Sequence, residues 1–375
     1  MFLPSGLPNG HQGEDQELTF KQRVEAFWTW YASVAERFHR TIGEKQCSSL
    51  GEEVSATVDK LLPGMGWVFG PGKDPTGHSF TLTGEGILPK QLLAAYWLSR
   101  APELDGWTFH AGRQASDIPR EFSLEMGAHS FRPIEFWVTP EINEEKEKVD
   151  VTVWHPLAGQ VPEKTWQTAL FLMLDEILGE FGTDRWIGAT EFGKAKLGAS
   201  MPITELREFV ESASKEQGWQ MHLPGTTWST YKLKREPDTD SKPRLDTIAG
   251  STACWKPLRD FFHDPDDCSD PFAGFHADWV YLSFDSSVLA ADDVVNARED
   301  IAEIISTDLG EMLSGRHLGG AIGVSRTYID FLIYDGDRSI GIIREAARRA
   351  GLPDDTRLEY LASSKRDLGI SLFGS

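Results

Sequence analysis

Residues 275–285, FHADWVYLSFD, and residues 315–334, GRHLGGAIGVSRTYIDFLIY, carry the pattern that decides the fold. In the first stretch Val280, Leu282 and Phe284 alternate with Trp279, Tyr281 and Ser283. A period of two marks a strand with one face turned to a core. In the second, Gly319 to Val324 and Tyr328 to Tyr334 read as two strands, with Ser325 to Thr327 as a hairpin connection. Between the stretches, Asp292 and Asp293 open a helix whose apolar stripe runs through Val294, Ala297, Ile301, Ile304, Ile305, Leu309 and Met312. A second helix starts at Asp337 as N-cap, buries Ile340, Ile343, Ala347 and Ala350, and stops at Gly351 and Pro353. A last strand runs from Arg357 to Ala362. The order strand, helix, strand, strand, helix, strand predicts a ferredoxin-like βαββαβ core over about 275–362.

Working outward, a helix from Phe20 carries Val24, Phe27, Trp28, Tyr31, Val34 and Phe38 on one side, and a second covers Leu50 to Leu62. Strands are expected at Gly66 to Gly70, His78 to Thr83 and Trp107 to Gly112, with a helix from Pro89 to Arg100. Pro133 to Thr139 and Val149 to His155 read as an antiparallel pair, followed by an amphipathic helix from Pro162. A strand at Arg185 to Glu191 and a helix at Ile203 to Ser214 complete an α+β reading, and Thr226 to Arg235 pairs with Arg244 to Ile248. The expected organisation is a disordered arm over 1–18, an aromatic-rich mixed α/β domain with antiparallel strands over 19–220, and a C-terminal domain over 221–375. The boundary is expected near Gly218 to Gly225, and the polar link Glu236 to Pro243 is expected to move. Ten of the 13 tryptophans precede Gln220, which places an aromatic core in the first half.

Composition narrows the function. A formal charge of −21 opposes non-specific binding to nucleic acid or anionic membranes, which requires an excess of lysine and arginine. Three cysteines without CxxC spacing suggest free thiols in a reducing compartment. The first residues lack a basic segment followed by an apolar one, and no apolar run reaches about 18 residues. A cytoplasmic protein follows by default.

Familiar motifs fail on inspection. HExxH and GxSxG are missing. GWVFGPGKD (66–74) misplaces its first glycine for a P-loop and has Asp74 where Ser or Thr would meet magnesium. The glycines at 315, 319, 320 and 323 lead into a strand rather than a helix, so close backbone packing explains them better than phosphate binding. His263 to Asp270 lacks the glycine and glutamate of a calcium loop and reads as a solvated acidic turn. His110 and His155 have no spaced partner. No cofactor and no metal are expected.

Two sets of residues remain. On the helix wheel Asp175 points outward, Glu176 lies at the border and Glu180 within the apolar sector, in the final turn where its head reaches water. Glu180 is the catalytic candidate, since a carboxyl in apolar surroundings can serve as an acid. The second set is a sheet face. If both helices cover the Val, Leu, Ile and Phe side, the opposite side presents Trp279, Tyr281, Tyr328, Asp330, Leu332 and Tyr334. Such a patch marks a contact surface, for the first domain, a second subunit or another protein, with ligand binding as the next reading. RNA is disfavoured because the RNP1 pattern is missing and the region is acidic.

The stretches LSRAPELDGWTFHAGR (98–113), FLMLDEILGEFGTDRWIGATEF (171–192), RLDTIAGST (244–252) and GRHLGGAIGVSRTYIDFL (315–332) resemble a family of bacterial proteins to which no activity attaches. The resemblance implies a bacterial, cytosolic setting and carries over no functional residue. The first functional expectation is a non-enzymatic interaction protein, an adaptor or an acidic inhibitor of a basic partner. The alternative is a hydrolase or transferase whose carboxylates converge in a cleft between the domains. A small-molecule sensor is the third.

Overall fold

The computed structural model describes residues 17–116, 122–234, 244–289 and 293–374. Most of the expected N-terminal arm, the link Glu236 to Pro243, and Asp292 lie outside these residues. The protein mixes helices with largely antiparallel strands, and no helix among the described residues is long and apolar enough to cross a membrane.

The chain begins with α1 (Phe20–Gly43), closed at its start by a capping box in which Thr19 and Gln22 satisfy each other's backbone groups. Phe20, Val24, Phe27, Tyr31, Val34 and Phe38 recur every three or four residues and are buried. Each such side chain contributes about 1.5–3 kcal/mol, so packing rather than propensity holds the helix. Then come α2 (Gly51–Leu61), β1 (Gly66–Pro71), β2 (His78–Thr83), α3 (Leu88–Ser99) and β3 (Trp107–His110). The three strands form a sheet in the order β1-β2-β3, its last pair parallel. Trp28 stacks on Trp97 at 4.4 Å at the centre of the aromatic core.

A second unit contains β4 (Leu124–Met126), β5 (His129–Phe131), β6 (Trp137–Asn143), β7 (Lys148–Trp154), α4 (Glu163–Leu178), α5 (Glu180–Trp186), β8 (Ile187–Phe192), β9 (Met201–Pro202) and α6 (Leu206–Gln217). Its sheet runs β8-β7-β6-β9, with β7 and β8 parallel across the α4–α5 crossover. Residues between Phe131 and Val210 form a core of their own. Two expectations shift here. Pro133–Glu135 is a single 3₁₀ turn, and β6 starts only at Trp137. Arg185 and Trp186 close α5, so the following strand starts at Ile187.

The remainder builds one antiparallel sheet of seven strands from β10 (Ser229–Lys232), β11 (Thr247–Thr252), β12 (Asp278–Asp285), β13 (Gly315–Gly323), β14 (Arg326–Ile333), β15 (Arg357–Tyr360) and β16 (Ile370–Ser371). Their order is β10-β11-β13-β14-β12-β15-β16. The sheet is thus wider than the four strands expected. Its helices are α7 (Trp255–His263), α8 (Val294–Glu311) and α9 (Asp337–Arg349). Asp337 is the first residue of α9, and the N-cap is Gly336 at φ 51°. Val280, Leu282, Phe284, Ile329, Phe331 and Ile333 pack with α8 and α9. The glycine run belongs to β13. A Cβ on Gly319, at φ 145°, would lie 2.2 Å from the Ser251 carbonyl oxygen on β11.

The other face of this sheet is closed. Trp279, Leu332 and Tyr334 join the aromatic core of α1 and α3, as do Leu258, Phe261, Phe272 and Phe275. That core therefore runs across the boundary expected near Gly218 to Gly225.

Candidate active site

The site lies where the second unit meets the first. Helix α4 ends at Gly179, whose φ of 76° turns the chain straight into α5. A side chain there would press within 3.1–3.2 Å of the Ala115 nitrogen and the Arg113 oxygen, so only glycine allows the approach. The Glu180 amide then donates to the Arg113 carbonyl at 2.9 Å. Its carboxylate, 1 % exposed, accepts four hydrogen bonds. Oε1 takes the Gly86 amide and Gln91 Nε2, both at 3.1 Å. Oε2 takes Thr83 Oγ1 at 2.5 Å and the Arg113 amide at 3.2 Å. These donors come from the end of β2, the turn before α3, α3 itself and the segment after β3. Glu180 thus ties the two units together and does not reach water as the helix wheel suggested. It opens α5 instead of closing α4, which turns its head into the junction.

Beside this tie lies a cleft of about 300 Å³ lined by Glu85, Gly86, Lys148, Phe171, Asp175, Glu180, Thr183, Asp184, Ile187 and Gly188. Three carboxylates from one crossover converge on it: Asp175 from α4, Glu180 and Asp184 from α5. Asp175, expected to face solvent, is half-buried because the first unit covers that side of α4. Burial pushes its carboxyl up to about 7. The charges of Glu180 and Asp184 add to the rise, and the Thr183 hydroxyl and Arg113 oppose it. Lost hydration also raises Asp184. That side chain remains largely open to water, however, which screens the effect. Burial lowers Lys148, whose ammonium donates to the Asp184 and Ile187 carbonyls at 2.8 and 3.0 Å. Glu176 leaves the cleft and accepts from Ser116 Oγ at 2.8 Å.

The aromatic sheet face has a different fate. Trp279, Tyr281, Tyr328, Asp330, Leu332 and Tyr334 are all 0–3 % exposed. Tyr96 lies on Tyr334 at 4.1 Å between ring centres, and Phe20 at 5.8 Å. The half of the face farther from α1 is filled by Arg244, a residue with φ 71° and no exposed surface. Its guanidinium pairs with both oxygens of Asp330, one at 2.7 Å, and lies 5.0 Å from the Tyr281 ring centre. Asp330 also accepts Trp279 Nε1 at 3.0 Å. Tyr328 donates to Asp246 Oδ1 at 2.5 Å and accepts the Arg244 amide at 3.0 Å. No period or spacing singles out Arg244 or Asp246. The sequence reading puts both in a strand from Arg244 to Ile248, whereas β11 starts at Thr247 and both lie in the turn ahead of it.

The other candidates resolve simply. Among the described residues, no group of three or more His, Cys, Asp or Glu could hold a metal ion. Asp264 caps its own turn by accepting the Asp266 and Asp267 amides. His155 is buried among Phe131, Phe136 and Trp166, which lowers its pKa to about 4. No protein-family model, no curated protein and no solved structure matches this chain.

Proposed function

We propose that the junction cleft is an acid–base site, and that the protein is a hydrolase or transferase acting on a small polar substrate. The observation that carries this reading is the convergence of Asp175, Glu180 and Asp184 on one cleft while their surroundings differ. Carboxyls held side by side in unlike surroundings are what acid–base chemistry needs. Asp175, poised near neutrality, gives a proton to a leaving oxygen. Asp184, exposed at the mouth of the cleft, takes one from the attacking water or acceptor. Glu180 holds the floor in place through its four hydrogen bonds. A panel of nitrophenyl esters, phosphates and glycosides tests the idea. Asp175→Asn should lower kcat/KM on the best substrate about 10²–10⁴-fold with folding intact. Turnover of that substrate by the variant at the wild-type rate refutes the assignment.

A specific observation favours a second reading, a non-enzymatic adaptor or acidic inhibitor. Met221, Leu223 and Trp228 are 47, 56 and 47 % exposed within eight positions, on a chain of net charge −21. Exposed apolar anchors suit a protein partner, and the net acidity of the chain as a whole favours a basic one. The closed sheet face takes no part in it. Within the seven-stranded sheet we read β15-β12-β14-β13, backed by α8 and α9, as a ferredoxin-like unit in a bacterial cytoplasmic protein. The supporting facts are the strand order and the antiparallel pairing of neighbours.

A further inference from the structure

We propose that the second unit binds a small aromatic carboxylate in a cavity of about 440 Å³, separate from the junction cleft. The cavity is lined by Ala158, Gly159, Val161, Glu163, Trp166, Phe192, Gly193 and Lys194. Its place in the topology is the first argument. Strands β7 and β8 are parallel, and the loop after β7 leads into α4. Phe192, Gly193 and Lys194 lie at and just beyond the carboxyl end of β8, while Ala158, Gly159 and Val161 belong to the loop that follows β7. The carboxyl ends of parallel strands are where α/β crossovers leave a crevice for ligands, since the strands stop and the connections diverge there.

The lining selects the ligand. Trp166 and Phe192 stand 5.4 Å apart between ring centres at 57°, and Val161 and Ala158 add apolar surface. The two rings pack on each other and form one aromatic wall, against which a flat ring can lie. Lys194 is the cation of the lining, and it is exposed. Glu163 is also in the lining, with its carboxylate accepting from Gln167 Nε2 at 3.0 Å. One lysine opposed by one nearby glutamate favours a single negative charge over a phosphate dianion. The volume falls within the usual range for sites of small organic ligands.

Benzoate and indole-3-acetate serve as probes, with benzamide as the uncharged match, by titration calorimetry on the 375-residue chain. At least one carboxylate should bind saturably, and benzamide at least about tenfold more weakly. Lys194→Met, at an exposed position, should fold normally and lose about tenfold in affinity. Phe192→Leu should weaken whichever carboxylate binds, through the lost ring contact. Asp175→Asn should leave binding unchanged, which separates this site from the junction cleft. Lack of saturable binding by both carboxylates overturns the proposal, as does equal binding of benzamide or indifference to Lys194→Met.

Discussion

Replacing Glu180 with alanine tests whether the carboxylate is a tie between units. The Gly86 and Arg113 amides and Gln91 Nε2 each lose this acceptor, whereas the Thr83 hydroxyl can rotate towards another partner. An unsatisfied buried donor costs roughly 1–3 kcal/mol; Gly86 is exposed and its amide can turn to water, so the loss falls mainly on Gln91 and Arg113 and about 3 kcal/mol is expected in total. Glutamine should do much less harm. Gln91 Oε1 is buried and has no partner, so a flip of the Gln91 amide would let it accept from the new side-chain NH₂. One amide then remains orphaned, at about 1–2 kcal/mol. Urea unfolding followed by tryptophan fluorescence measures both variants. With a slope of about 3 kcal/mol per molar, the alanine midpoint falls by roughly 1 M. Amide hydrogen exchange gives the location: Gly86 and Arg113 should exchange faster while β14 amides stay protected. An alanine variant within about 0.5 kcal/mol of wild type, with unchanged exchange at those two amides, refutes the reasoning.

Asp175 has a folded-state pKa of about 7 against an ordinary 3.8, so the native state binds its proton more tightly than the unfolded chain does. Its contribution is complete below pH 4 and is lost as pH rises through 7, a change of up to a few kcal/mol. Asp175→Asn should therefore flatten the fall in stability between pH 5 and pH 8, as measured by urea midpoints across that range. An unchanged slope would show that the carboxyl is not displaced. Arg244→Ala or Asp330→Ala should each cost about 3–5 kcal/mol, because the partner left behind is a buried charge. Replacing both by methionine and leucine should restore most of the loss in the same denaturation assay. In the native protein a disulfide reagent should leave Cys254 and Cys268 largely unmodified at pH 8, since burial pushes them to about 12 and 11. Rapid modification of both would contradict their burial.

The sequence made most elements readable, because periodicity and caps are local. The alternation in β12 and β14 separates Val280, Leu282 and Phe284 from Trp279 and Tyr281, and the sheet keeps that division. What covers Trp279 and Tyr328 depends on α1, α3 and Arg244, which meet them from far along the chain. No local pattern holds that information. The same limit governs the cleft. A helical wheel of α4 correctly keeps Asp175 off that unit's own core, yet a wheel has no way to represent the first unit lying over it. Glu180 was singled out for its apolar sector, and its burial came from the turn at Gly179, whose backbone angle a wheel ignores. The sequence reads β10 and β11 as a pair, but no local pattern joins that pair to β13, and β16 is only two residues long, so the expected sheet stays narrower than the observed one.

The docking of α1 on the last-made sheet sets a timetable for synthesis. Phe20 and Lys21 donate their amides to the carbonyls of His276 and Tyr334, and Thr19 reaches Asp335 at 316 positions' separation. A ribosome adding about 5–20 residues per second needs roughly 15–65 s to bridge that interval. Until β14 leaves the exit tunnel, Phe20 and Tyr96 have no Tyr334 to pack on. The nascent chain must carry part of its most aromatic surface uncovered for that time, within reach of chaperones. Shortening the C terminus ahead of β14 would make that exposure permanent.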